Sequence, residues 1–270
     1  MYGDDLLLKC LRCKGFQWIG DISNIEDLYT SEYFNGDEYV SYDESVNIYR
    51  LNLERKWQTV INSCNFKNEK NVRNGCDERV FELGAATGEF LRVLKKEKIT
   101  SIIGAEISSF CRDKAAKDGF EMLDPLSSNY MQQIHDFAPT VLCAWDVWEH
   151  LENPSAIFKE ILAKNPSIEV VALSTVDSGA FVPRFKKTRW RQFHPPTHLN
   201  YPTRESFKIF FEEHGFSIKN ISAFGYYRPL ADYLSVFFGR ERVTSFPLLF
   251  KIPIYLNLYD IQLIVAQKIK

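Results

Sequence analysis

The chain lacks any long uninterrupted apolar run. Its longest late candidate, residues 246 to 258, is broken by Pro247, Lys251, Pro253 and Asn257, far short of the roughly 20 apolar residues a membrane-spanning helix needs. A basic stretch leading into an apolar one is also missing at the start, where Met1-Tyr2-Gly3-Asp4-Asp5 is acidic, and no export signal is expected. Positive charge is not in excess. The 33 Lys and Arg against 35 Asp and Glu leave a formal net charge of −2, which makes nucleic acid an unfavoured partner because such binding neutralises many phosphates. The six cysteines, at 10, 13, 64, 76, 111 and 143, are mostly isolated and give no disulfide framework. No repeat or low-complexity segment occurs. These absences predict a cytoplasmic globular protein without membrane segments, and 45% hydrophobic content over 270 residues suffices for one α/β core with an appendage.

What is present begins with Arg79 to Leu91, RVFELGAATGEFL, which reads as a buried strand, a small-residue turn and a helix start. Gly84 and Gly88 let the backbone pass close to a ligand, and the helix N-terminus offers N–H groups to a carboxylate. The dinucleotide fingerprint G-x-G-x-x-G, laid on Gly84, meets Ala86 and Glu89 where it wants glycines, so a pyrophosphate fits poorly. Next, Ser101 to Glu106 reads as a second buried strand ending in an acid, where a ribose diol needs a two-oxygen acceptor. Phe120 to Leu123 ends in Asp124-Pro125, and Thr140 to Trp145 is a fourth strand followed by DVWEHLENP.

Three of these pieces carry a family resemblance. E-x-G-x-x-x-G from Glu82 resembles motif I of class I S-adenosylmethionine (SAM)-dependent methyltransferases. Asp146 to Pro154 and the later HPPTHLNY with the helix to Gly215-Phe216 resemble segments of the small-molecule enzymes of the ubiquinone-biosynthesis and deoxysugar type. The resemblance covers nearly the whole chain. It implies a Rossmann-like seven-stranded α/β sheet with helices on both faces, a closing antiparallel strand at Ile261 to Gln267, and SAM as cofactor. The cofactor set it implies is Glu82, Gly84, Ala85, Thr87, Gly88, Glu106, Ile107, Asp124 (facing the adenine amino group) and Trp145. Such relatives often carry two C-x-x-C motifs. Here Cys10-Leu11-Arg12-Cys13-Lys14-Gly15 supplies one zinc-knuckle half, and none of the nine residues before it is Cys or His. It reads as a remnant knuckle or as a chain missing its natural start, and no bound metal is expected.

The expected organisation is an N-terminal arm and lid over 1–76 and a methyltransferase domain over 77–270. Within the arm, Val46, Tyr49, Leu53, Trp57, Val60 and Ile61 recur at helical spacing, with Glu54, Arg55 and Lys56 largely opposite. Tyr33 and its aromatic neighbours either close over the cofactor or simply dock the arm by burial. Within the domain, Asn153 caps a helix with Pro154 at its first position, and Thr203 caps the helix that ends at Gly215.

Acceptor chemistry lies elsewhere. Methyl transfer to a hydroxyl or amine requires alignment and proton removal, and histidine suits the base role. His150, after the fourth strand, is the first candidate and His198 the second; His135 and His214 read as structural helix-end residues. Arg184, Arg189, Trp190, Arg191 and His194 form a cationic and aromatic stretch that fits a phosphorylated or nucleotide-linked sugar acceptor or an ordinary solvated loop. The expected function is methyl transfer to a small molecule; the alternatives are a methyltransferase for RNA or protein, or a non-catalytic SAM-binding protein.

Overall fold

In the computed structural model, described over residues 6–20, 42–64, 78–238 and 247–270, the centre is a seven-stranded sheet. Its parallel part is made of β3 (Val80–Leu83), β4 (Ile102–Ala105), β5 (Glu121–Leu123), β6 (Val141–Trp145) and β7 (Val170–Val176). Two further strands complete it, β9 (Phe216–Ala223) and β12 (Ile261–Lys268), and the order across the sheet is β5-β4-β3-β6-β7-β12-β9. β3, β6 and β7 are buried at every position, as strands covered by helices on both faces must be. β12 lies antiparallel between β7 and β9, as the resemblance implied. The fold is the Rossmann-like methyltransferase sheet.

The crossovers between parallel strands are α2 (Glu89–Lys96), α3 (Ser109–Lys117), α4 (Tyr130–Phe137) and α5 (Pro154–Lys164). α7 (Arg204–Glu213) leads into β9. The expected caps are formed: the Asn153 side chain accepts from the Ala156 N–H at 3.2 Å, and Thr203 and Ser206 make a reciprocal capping box. Two apolar clusters flank the sheet. One holds Phe90, Leu94, Trp145 and Val265; the other holds Phe81, Leu142, Phe158 and Phe211.

The long arm helix α1 (Tyr42–Ser63) packs on the first of these clusters through Trp57 and Val60. One expectation is corrected here. Lys56 does not face solvent but is only 1% exposed, with its ammonium 2.7 Å from Asp146 Oδ2. Ile48, Trp57 and Val60 are all buried, and at about 1.5–3 kcal/mol each they can offset the several kcal/mol that desolvating an ammonium costs. The helix is therefore held by its apolar anchors, with Lys56 paired to Asp146 on the same packed side.

Two small sheets had no counterpart in the sequence reading. β1 (Leu7–Lys9) and β2 (Phe16–Trp18) form a hairpin that continues onto β8 (Asn200–Tyr201), with Phe16 stacked on Tyr201 at 4.6 Å. β10 (Tyr226–Pro229) pairs with β11 (Pro253–Leu256), with α8 (Leu230–Phe238) between them in sequence. Cys10 and Cys13 sit in the turn of the first hairpin, where Lys14 N–H donates to Cys10 O at 3.0 Å. Among the described residues they belong to no group of three or more metal-ligating side chains.

Candidate active site

Four strands end in acids along one edge of the sheet. In spatial order, β5 is followed by Asp124, β4 by Glu106, β3 carries Glu82, and β6 is followed by Asp146. Ligands of open α/β sheets gather at these carboxyl ends. Glu106 is held by two backbone bonds: Oε2 accepts from the Ala86 N–H and Oε1 from the Ser108 N–H, each at 2.9 Å. Burial raises its pKa against those bonds. Arg112 donates to the carbonyls of Glu106 and Ile107 and to Asp124 Oδ2, so one guanidinium ties two strand ends together.

The turn after β3 needs its glycines. Gly84 has φ +75°, and a Cβ there would meet Val147 Cγ2 at 2.3 Å; Gly88, at φ +80°, is the residue before α2. Ala85 and Thr87 between them are buried. Glu82 lies beneath, 3% exposed, with Oε2 lacking any hydrogen-bond partner. Burial pushes its pKa well above the usual carboxylate range, opposed by the field of Lys56. Trp145, at the end of β6, meets Phe90 edge-on at 5.3 Å, and its indole N–H is also without a partner. A buried carboxylate oxygen and acids in excess over lysine suit a ligand that brings positive charge, an amine and a diol. Tyr33 lies outside the described residues.

Asp146 was not singled out in the sequence, although it opens the motif that led to His150. It adopts φ +57°, and its carboxylate gathers three donors: Lys56 Nζ at 2.7 Å, the Tyr226 hydroxyl at 2.7 and 2.8 Å, and Ser174 Oγ at 2.9 Å. Desolvation works against the charge, yet the Lys56 ammonium and these bonds lower its pKa. Lys56 and Tyr226 come from α1 and β10, ninety and eighty residues away from it in sequence. No local pattern could have shown either.

One turn further, the short helix Trp148–His150 is pinned by Trp148, whose ring lies 4.9 Å from both Phe158 and Phe207. Glu149 is 2% exposed and accepts from Thr175 Oγ1 at 2.7 Å. Its carbonyl accepts from the Leu199 N–H at 2.7 Å, which brings the 194–201 loop over it. His150 and His198 thereby meet, rings 4.6 Å apart, and His194 packs on His198 at 3.8 Å. Burial, with the Asp146 charge, pushes the Glu149 pKa up to about 8. Burial and the two neighbouring rings push His198 down to about 2. The two histidine candidates and His194 are thus one cluster, and Glu149 is the member the sequence reading passed over.

The cationic stretch divides. Trp190, expected beside an acceptor, is instead 2% exposed and donates through its indole N–H to Asp260 at 2.9 Å, while Arg191 pairs with the same carboxylate. Those two hold the wall to the start of β12. Arg184, on α6 (Phe181–Lys186), and Arg189, in the turn after it, are both exposed to solvent.

Comparison with known proteins agrees with this architecture. A family model described as a methyltransferase domain matches residues 49–220. Among solved structures, magnesium protoporphyrin IX methyltransferase from Synechocystis PCC 6803 with bound S-adenosylhomocysteine (SAH) superposes with TM-score 0.55 at 14% identity, covering 92% of this chain and 100% of that one. A SAM-dependent methyltransferase from Archaeoglobus fulgidus gives 0.52 at 18% identity over the same shares. No curated protein matches. With the family model spanning more than half of the residues, the chain belongs to the methyltransferase domain family and has the fold of the SAM-dependent enzymes.

Proposed function

We propose that this chain transfers the methyl group of SAM to a small-molecule acceptor. The observation that carries the reading is Glu106, a buried carboxylate held by two backbone N–H groups beside the Gly84–Gly88 turn. In this reading Glu106 accepts both ribose hydroxyls, Asp124 lies toward the adenine, and the turn passes beneath the amino-acid end. Glu82, with its orphaned oxygen, faces the positive end of the cofactor.

SAM supplies a methyl carbon already activated by its sulfonium. The residues of the chain align, exclude water and manage a proton. The Asp146, Lys56 and Tyr226 network holds the end of β6 in place. His150 and His198 stand one turn beyond and take the acceptor side. The exposed Arg184 and Arg189 favour an anionic acceptor, a phosphorylated or nucleotide-linked metabolite of the kind handled by the ubiquinone and deoxysugar enzymes.

Calorimetry with SAH tests the reading. Wild-type protein binds it, and Glu106→Ala loses two hydrogen bonds to a charged acceptor, each worth about 1.5–3 kcal/mol before water compensates. Affinity unchanged by the substitution would remove Glu106 from the cofactor site. The acceptor itself is sought by incubating the protein with labelled SAM in a cell extract and identifying the labelled metabolites by mass spectrometry.

A further inference from the structure

We infer that Lys56 is itself a methyl acceptor: the chain transfers methyl groups from SAM to the Nζ of its own arm lysine, as far as dimethyl-lysine. This rests on the methyl-transfer reading and goes beyond it, because the acceptor is part of the chain. Lys56 lies on α1 at 1% exposure, and the ring centroids of Trp145, Phe224 and Tyr226 stand 5.5, 5.6 and 4.9 Å from its Nζ. Three aromatic rings with one carboxylate, Asp146 at 2.7 Å, make the kind of cage that recognises methylated ammonium groups.

Donors and acceptors do not balance around a bare ammonium. It carries three N–H donors, yet among the described residues Asp146 is the one group that accepts from it. Buried donors left without acceptors cost free energy. Methyl groups in place of the other two remove that cost, while one N–H stays on Asp146. The distances agree: a C–N bond of about 1.5 Å aimed at a ring brings the methyl carbon to roughly 3.4–4.1 Å from its centroid, the spacing of carbon contacts. A purely structural ion pair explains the carboxylate and leaves the two unmet donors unexplained.

The place suits the reaction. Trp145 ends β6 and Asp146 follows it, at the strand ends where ligands of such sheets gather. The field of Lys56 also reaches Glu82, the acid proposed to face the positive end of SAM, and Asp146 keeps 37% of its side chain exposed, so the ion pair borders open space. The ammonium first gives a proton to water. The freed Nζ lone pair then forms the bond to the methyl carbon, and the carbon–sulfur bond breaks with its electron pair staying on sulfur, leaving neutral SAH. A second SAM repeats the step. Two protons leave in all, and the dimethylammonium keeps its positive charge, one N–H and its contact with Asp146.

The probe is SAM with a trideuterated methyl group, incubated with the full-length chain, which is then digested and read by mass spectrometry. Heavy methyl groups are expected on Lys56, one and then two, at a rate per chain that does not depend on protein concentration. A Lys56→Arg chain takes up no label elsewhere. Light methyl groups already on Lys56 of the purified protein support the inference when a Glu106→Ala chain from the same host lacks them; their presence in both overturns it, because another enzyme then placed them. A wild-type Lys56 that stays bare overturns it too, as does label confined to other residues or a rate that rises with protein concentration, and these arms need no variant to fold. SAH calorimetry on the same samples separates the two readings: SAH bound with Lys56 bare removes the modification alone, and loss of both removes the methyl-transfer reading as well.

Discussion

The row of acids at the strand ends and the cluster beyond β6 are built by different means. Glu106, Asp124 and Asp146 each follow their own strand, Glu82 lies within β3, and parallel pairing sets them side by side. Their arrangement is a consequence of strand order. The acceptor side is a meeting of parts: Lys56 from the arm, Tyr226 from β10, and His194 and His198 from a loop that crosses back over Glu149. The lesson is that one half is assembled by neighbouring strands, whereas the other depends on segments remote in sequence.

Substitutions break or sharpen that contrast. His150→Ala is expected to give the largest effect, a loss of about 10²–10⁴-fold in methyl transfer to extract acceptors, as removal of a proton-handling or acceptor-binding group does. Its SAH affinity stays at the wild-type value. Weaker SAH binding in that variant, by calorimetry, would erase the boundary between the two halves.

Lys56→Ala tests the arm. Breaking a buried ion pair costs about 3–5 kcal/mol, and the lower end applies because Asp146 keeps a side-chain exposure of 37%. Urea denaturation is therefore expected to show a loss of about 3 kcal/mol. A loss under about 1 kcal/mol would mean that the apolar anchors alone position α1.

Glu82→Gln separates the halves by pH. The folded chain holds the Glu82 proton more tightly than the unfolded chain, so ionisation costs stability as pH rises above the ordinary carboxylate range. Removing the charge is expected to raise the Tm of the ligand-free protein at pH 7 to 8, with the difference vanishing in acid below the unfolded pKa. A Tm gap that does not narrow toward acid would show that Glu82 is not the source.

The smallest effect is assigned to the surface. Replacing Arg184 and Arg189 together is expected to raise the KM for an anionic acceptor by a few fold, on the order of 1 kcal/mol for exposed charges, with SAH binding untouched. Equal KM would mark the stretch as solvated only.

Much of the proposed cofactor half was legible because it is local. A strand, a glycine turn and the next helix occupy one stretch of chain, and alternation of buried strands with capped helices implies strand ends on one edge. The caps at Asn153 and Thr203 were legible for the same reason. The other half was legible only in fragments. His150 and His198 stood out as candidates, but their contact was not visible, since they lie 48 positions apart (198 − 150) and the loop is closed over Glu149 by bonds between residues remote in sequence. Trp190 shows the opposite error: an aromatic among cations reads as a ligand platform until Asp260 is found behind it.

Taken by itself, the order of residues determined the sheet, the glycine turn after β3 and the strand-end acids Glu106 and Asp124, because each depends on spacing within one or two elements. Only the tertiary structure decided that Lys56 is buried against Asp146, that Tyr226 joins them, and that Glu149, His150 and His198 share one space. Those outcomes depend on how α1, β10 and the loop before β8 pack on the domain. Packing is a sum of many weak, non-directional contacts between residues remote in sequence, and no spacing along the chain records which of them will meet.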